Sequence, residues 1–141
     1  MGEALKISTA IIDLANQRDV DGMDRYLSDG LRFVNPITGP TDKTGMNGFF
    51  SAIFAAFPNI DYRIDRQIEE GDTAILECTV TGKNTGPFMG QAPSGNAIQV
   101  PVAFIVDVTD GKVREWHSYF DAAKLQRQLS GAAAAAEAAR V

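Results

Sequence analysis

Between Glu3 and Gln17, Leu5, Ile7, Ile11, Ile12, Leu14 and Ala15 recur at spacings that leave one broad apolar stripe, which predicts an amphipathic helix. Asp19-Val20-Asp21-Gly22 supplies N-cap chemistry for a short second helix carrying Met23, Tyr26 and Leu27, closed by Gly30. Leu31 to Asn35 reads as a short strand stopped by Pro36. A third helix is predicted from about Thr44 to Phe57, with Met46, Phe49, Phe50, Ile53, Phe54 and Phe57 making it the most apolar element.

Beyond Pro58-Asn59 the period changes to two. Strands are predicted at Asp61–Glu69, Thr73–Gly82, Ala97–Val108 and Lys112–Phe120, with Glu70-Gly71-Asp72 and Asp110-Gly111 as hairpin turns. Helices followed by a run of antiparallel strands give an α+β fold, with the helices packed on one face of a curved sheet. Both parities of Ala97–Val108 are largely apolar, so the sheet requires cover on both faces and a homodimer through the sheet is expected. Residues 1–130 are expected to form one domain. The alanine-rich stretch 131–141 has no apolar stripe to pack and reads as a frayed or disordered tail.

A net charge of −5 argues against nucleic-acid phosphate and against a polybasic membrane-surface role. No apolar run approaches a bilayer span and no signal-peptide pattern opens the chain, so the expected location is cytoplasmic. One cysteine and one histidine leave no cysteine-rich or histidine-based metal site. No nucleotide, flavin or metal motif is present, and the expected chemistry is cofactor-free.

The segment Val113-Arg114-Glu115-Trp116-His117-Ser118-Tyr119-Phe120-Asp121 carries the candidate chemistry. Alternation places His117, Tyr119 and Asp121 on one face and Trp116, Ser118 and Phe120 on the other. A carboxylate at the end of an aromatic strand is either an N-cap for the following helix or a pocket acid/base group whose pKa desolvation would raise. Asn35 reads as a turn cap or a pocket hydrogen-bond donor, and Cys78 as a buried thiol. Gly86–Gly95, rich in Gly and Pro around Phe88 and Met89, is a long loop expected to fold those two side chains over a pocket mouth as a lid.

Several segments in order carry a family resemblance: Phe33-Val34-Asn35-Pro36, Ala56-Phe57-Pro58-Asn59, Glu70-Gly71-Asp72, Thr81-Gly82-Lys83-Asn84-Thr85-Gly86-Pro87-Phe88, Gly90 to Gly95, Asp110 to Val113, and Trp116 to Asp121 with Arg127-Gln128-Leu129. From Ile7 to Leu129 the chain resembles the SnoaL-like branch of the nuclear transport factor 2-like superfamily, with polyketide cyclases, ketosteroid isomerases and limonene-epoxide hydrolases as relatives. The resemblance implies a cone-shaped α+β fold in which three helices close over a strongly bent sheet around one pocket. In the cyclases the Asp at the end of the last strand is a general acid/base, a position matched by Asp121. In the epoxide hydrolases an Arg, a second Asp and a Tyr complete the site; this chain has Cys78, Val80 and Phe33 there, and Asn84 stands where many SnoaL-like chains carry His.

The resemblance therefore implies a small hydrophobic, polyketide-like or keto ligand, with Asp121, Tyr119 and Asn35 as catalytic candidates. Phe33, Phe50, Phe54, Cys78, Asn84, Phe88, Met89 and His117 are the ligand-binding candidates. Cyclisation or isomerisation is the leading expectation. A non-catalytic binding or assembly module is the alternative, and a divergent epoxide hydrolase a further one.

Overall fold

The computed structural model describes residues 2–130, and the alanine-rich stretch lies outside the described residues. Helix α1 (Glu3–Asn16) and short helix α2 (Val20–Asp24) precede β1 (Leu27–Asn35), a three-residue β2 (Gly39–Thr41) and helix α3 (Lys43–Ala56). Then follow β3 (Asp61–Glu70), β4 (Thr73–Lys83), β5 (Ala97–Thr109), β6 (Lys112–Tyr119) and helix α4 (Ala122–Leu129). The strands make one mixed sheet in the order β2-β1-β6-β5-β4-β3, in which β1 and β6 run parallel and every other pair antiparallel. This is the α+β class expected, but the sheet is mixed and not wholly antiparallel, because β1, placed before α3, meets β6 in parallel.

Local chemistry explains the element boundaries. Asp19 and Asp42 accept from the backbone N–H of Gly22 and Gly45, each at 2.9 Å, and so start α2 and α3. Helix α1 has no capping side chain of its own; Glu69 of β3 reaches across and accepts from Gly2 and Leu5 N–H, both at 2.7 Å. Those bonds, the one from Leu5 first, hold the Glu69 carboxyl below the usual carboxylate range. The β5–β6 hairpin turns on Asp110 and Gly111, both at positive φ (55° and 74°), as a two-residue primed turn requires.

One boundary differs from expectation. The segment Leu27–Gly30 belongs to β1 rather than to the second helix, because Leu27 pairs with Val113 of β6. Four residues of β1 then stand opposite one residue of β6 before pairing resumes at Arg32 and Glu115. This bulge pushes β1 outward beside the start of β6.

The core lies between the concave face of the sheet and the helices. Ala74, Leu76, Cys78 and Val80 of β4, Val100, Phe104 and Val106 of β5, and Val113 and Trp116 of β6 are buried against Ile11 and Ile12 of α1 and Met46, Phe50 and Phe54 of α3. On the convex face, Ile68, Ile75, Ile105, His117 and Val34 stand side by side across five strands by register. Ile68 in that row is 44% exposed.

Candidate functional site

A half-open cavity of about 60 Å³ lies under the concave face. Phe49, Phe50, Ile53 and Phe57 of α3 wall one side, and Val80, Val100, Val102 and Phe104 of the sheet wall the other, with Phe120 and Leu125 near the β6–α4 junction. Tyr62 of β3 and Ser118 of β6 also line it, but the surface open to the cavity is almost entirely hydrocarbon. The Ser118 Oγ accepts from the buried Trp116 indole N–H at 3.1 Å, which leaves its own O–H to donate elsewhere. The Tyr62 hydroxyl makes no side-chain hydrogen bond to any described residue. Burial, with Cys78 adding in the same direction, pushes the Tyr62 phenol well above its ordinary range, so it remains a neutral donor.

The end of β6 is turned the opposite way from the sequence expectation. Trp116 stands opposite Val106 and Ser118 opposite Phe104, and both pairs face the core. The bulky apolar parity of the strand takes the concave side, so His117 and Tyr119 fall on the convex face, where Tyr119 is 52% exposed. There His117 bridges Glu115 Oε1 (2.9 Å) and the Tyr119 hydroxyl (3.3 Å), and Tyr119 stacks on its ring. The bond from His117 is the main cause of the lowered Glu115 pKa. This Glu–His–Tyr chain points away from the cavity and cannot act on a ligand bound there.

Asp121 is exposed and caps α4, accepting from Lys124 N–H at 3.0 Å. It is not part of the cavity wall, although Phe120 before it and Leu125 after it are. Asn35 is buried but occupied as a turn cap: its Oδ1 accepts from Ile37 (2.9 Å) and Thr38 (3.0 Å) N–H, and its Nδ2 donates to Thr38 Oγ1 at 2.7 Å.

Of the ligand-binding candidates, Phe50 lines the cavity. Phe33 and Phe54 pack behind it, with ring centroids 6.0 Å and 5.9 Å from Phe50. Cys78 is buried beside the cavity without lining it, and burial pushes its thiol up to about 12, which keeps it unreactive near neutral pH. Asn84 ties a loop together: its Nδ2 donates to Ala56 (3.3 Å) and Gly86 (2.9 Å) carbonyls and its Oδ1 accepts from Ser94 N–H at 2.7 Å. Phe88 is buried against Phe57 at 5.6 Å, on the far side of a wall residue. Met89 sits 62% exposed at the tip of a tight turn in which Phe88 and Gln91 exchange backbone bonds. Neither side chain covers the cavity, so the lid expectation fails.

Tyr62 is a site residue that no motif in the sequence marks, and Ser118 lies on the strand face opposite to the one its neighbours' chemistry favours. The available signal was parity: Trp116, Ser118 and Phe120 share a face, and a tryptophan is a better core marker than a histidine.

A family model for SnoaL-like polyketide cyclases matches residues 6–129. The chain belongs to the SnoaL-like polyketide cyclase family. Among solved structures, this SnoaL-like chain superposes with a TM-score of 0.83 on a protein of Jannaschia sp. CCS1 assigned to the same cyclases, at 21% identity over 91% of this chain and 92% of that one. IdmH of Streptomyces antibioticus, assigned as a polyketide cyclase, gives 0.79 at 20% identity over 92% and 99%. AclR of Streptomyces galilaeus, assigned as a hydroxylase, gives 0.82 at 22% identity over 92% and 82%. At such identities these likenesses establish the cone fold of this SnoaL-like chain and leave its chemistry to its own residues. No curated protein matches the sequence.

Among the described residues, no carboxylate or guanidinium lines the cavity of this SnoaL-like chain, so the two-acid, one-arginine arrangement of an epoxide hydrolase is not present there. No group of three His, Cys, Asp or Glu side chains with metal-binding geometry occurs among the described residues. None of the described helices is long and apolar enough to cross a membrane.

Proposed function

We propose that the chain binds a small, largely apolar, polyketide-like ketone in the concave cavity and promotes its cofactor-free cyclisation or isomerisation by polarising the carbonyl. The observation that supports this reading is an almost wholly hydrocarbon cavity with Tyr62 and Ser118 among its lining residues, whose hydroxyls would meet a ligand once the walls part to admit it. Donors held in such a site stabilise the negative charge that builds on a carbonyl oxygen as its α-proton passes to a water at the half-open mouth of the cavity. The space of about 60 Å³ is well below the roughly 300–1,000 Å³ of most ligand sites. Binding of a polyketide-sized molecule thus requires wall side chains to move apart.

The test uses 2-acetonaphthone and its oxygen-free counterpart 2-ethylnaphthalene. The ketone is expected to bind more tightly, and Tyr62→Phe to erase about fivefold of that preference, the worth of one hydrogen bond near 1 kcal/mol. The same substitution should leave folding stability unchanged or raised, because the hydroxyl it removes has no partner among the described residues. Equal binding of the two naphthalenes would sink the reading.

A second reading keeps Asp121 as the proton acceptor, favoured by its place between wall residues Phe120 and Leu125. Exchange of the ketone's methyl protons with deuterium in heavy water, followed by NMR, separates the two. Loss of exchange in Asp121→Asn with binding intact assigns the base to Asp121. Unchanged exchange leaves Asp121 as a helix cap, since Asn caps about as well as Asp.

The apolar row on the convex face also supports pairing of two copies through the sheet. A dimer mass in sedimentation at micromolar concentration, converted to monomer by Ile105→Lys, is the expected result, and a clean wild-type monomer would exclude it.

A further inference from the structure

A second concavity, of about 460 Å³, opens where the β1 bulge meets the start of β6, lined by Asp24, Arg25, Leu27, Ser28, Asp29, Gly30, Lys43, Lys112 and Arg114. Ser118 lies six positions after Lys112 in β6, so the concavity is roughly 20 Å along the strand from the ketone cavity. Its charge is opposite to that of the molecule: four cationic side chains face two carboxylates, in a chain of net charge −5.

The cations are unevenly committed. Lys43 is shared between Asp24 (3.6 Å) and Asp29 (3.5 Å), and Lys112 donates to the Arg25 carbonyl. Arg114 has only a marginal pairing with exposed Asp110, at 4.0 Å. The Arg25 guanidinium has no ion pair with any described residue. At the base of this group sits Ser28, 8% exposed, whose Oγ is the one buried side-chain polar atom among the described residues without a hydrogen-bond partner. A buried hydroxyl left unpaired is costly, and such exceptions call for a cause. The bulge in β1 takes Ser28 out of regular strand pairing opposite Arg114, and its Oγ is closed off from the concavity.

We infer that this concavity binds a phosphate-class dianion, gripped by Arg25 and Arg114, with Lys112 and Lys43 adding positive field. Two guanidinium forks suit the bidentate geometry of phosphate oxygens. The site is independent of the ketone cavity, and neither depends on the other for its test.

Calorimetric titration of the full chain with inorganic phosphate, near neutral pH and at fixed ionic strength set with chloride, is expected to show saturable one-to-one binding. Arg25→Ala with Arg114→Ala should weaken it at least about tenfold. Arg63→Ala with Arg66→Ala, which removes two exposed cations of β3, should leave binding unchanged. Displacement of phosphate by glycerol phosphate supports a terminal phosphoryl group as the natural occupant; phosphate binding without that displacement supports the free anion. Absence of saturable heat, or equal affinity in the Arg25/Arg114 double variant with its circular dichroism intact, overturns the inference.

Discussion

Phe88→Ala is expected to lower the unfolding free energy by about 3–5 kcal/mol, the loss typical of a core phenylalanine. The ring is buried and meets Phe57 edge-on at 5.6 Å, and Phe57 is itself fully packed. Its backbone cannot swing out to relieve the void, because Phe88 and Gln91 exchange two bonds at 3.0 Å across the Met89-Gly90 turn. Urea denaturation measures the loss directly. Met89→Ala, one residue away but 62% exposed, should fall within about 0.5 kcal/mol of wild type. A mild effect of Phe88→Ala, comparable to that of Met89→Ala, would return the loop to the role of a mobile cover.

Gly86→Ala should be at least as damaging for a different reason. A Cβ at that position would lie 2.0 Å from the Ala55 carbonyl oxygen and 2.9 Å from its carbon. Both atoms are backbone at the end of α3, and the N–H groups of Thr85 and Gly86 each bond to the Ala56 carbonyl at 3.2 Å, so the two segments cannot part cheaply. The expected cost lies at or beyond the top of the usual ~1–3 kcal/mol for overpacking. Gly48→Ala is the control: nothing lies within 4 Å of its Cβ, and in the middle of α3 the substitution should stabilise by about 0.5–1 kcal/mol. Thermal melts of the two variants should therefore move in opposite directions.

Elements with strong periodicity are legible in the amino-acid pattern alone. The stripe from Leu5 to Ala15, the phenylalanine-rich third helix and the two glycine-containing hairpin turns all appear where their local chemistry puts them. What local pattern cannot reveal is partnership over distance. Leu27 has the neighbours of a helix end, and only its pairing with Val113 makes it a strand. Glu69 reads as surface charge until α1 arrives with its uncapped N-terminus. The candidate site is the least legible part, because the side of a strand that faces inward is decided by the opposite strand. His117 and Tyr119 are attractive for their chemistry, yet Val106 and Phe104 select Trp116 and Ser118 for the interior. Phe50 is recognisable because a helix stripe declares its buried side without help from elsewhere.

The place of β6 in the sheet has a consequence for how the chain folds. It is the latest strand of the described residues, yet it lies between β1 and β5 and joins them. During synthesis, β3, β4 and β5 can assemble as neighbouring hairpins, whereas β1 must wait some eighty residues for its main partner, as the register Phe33 to Trp116 shows. Pairing at such separation closes a long loop late and makes folding slow compared with local contacts. Until then the unpaired margin of β1 and the apolar side of β5 both stand open, and a nascent or destabilised chain offers them to another copy. Damage to the β5–β6 turn should therefore show first as aggregation during refolding, ahead of any loss in the melting temperature of the molecules that do fold.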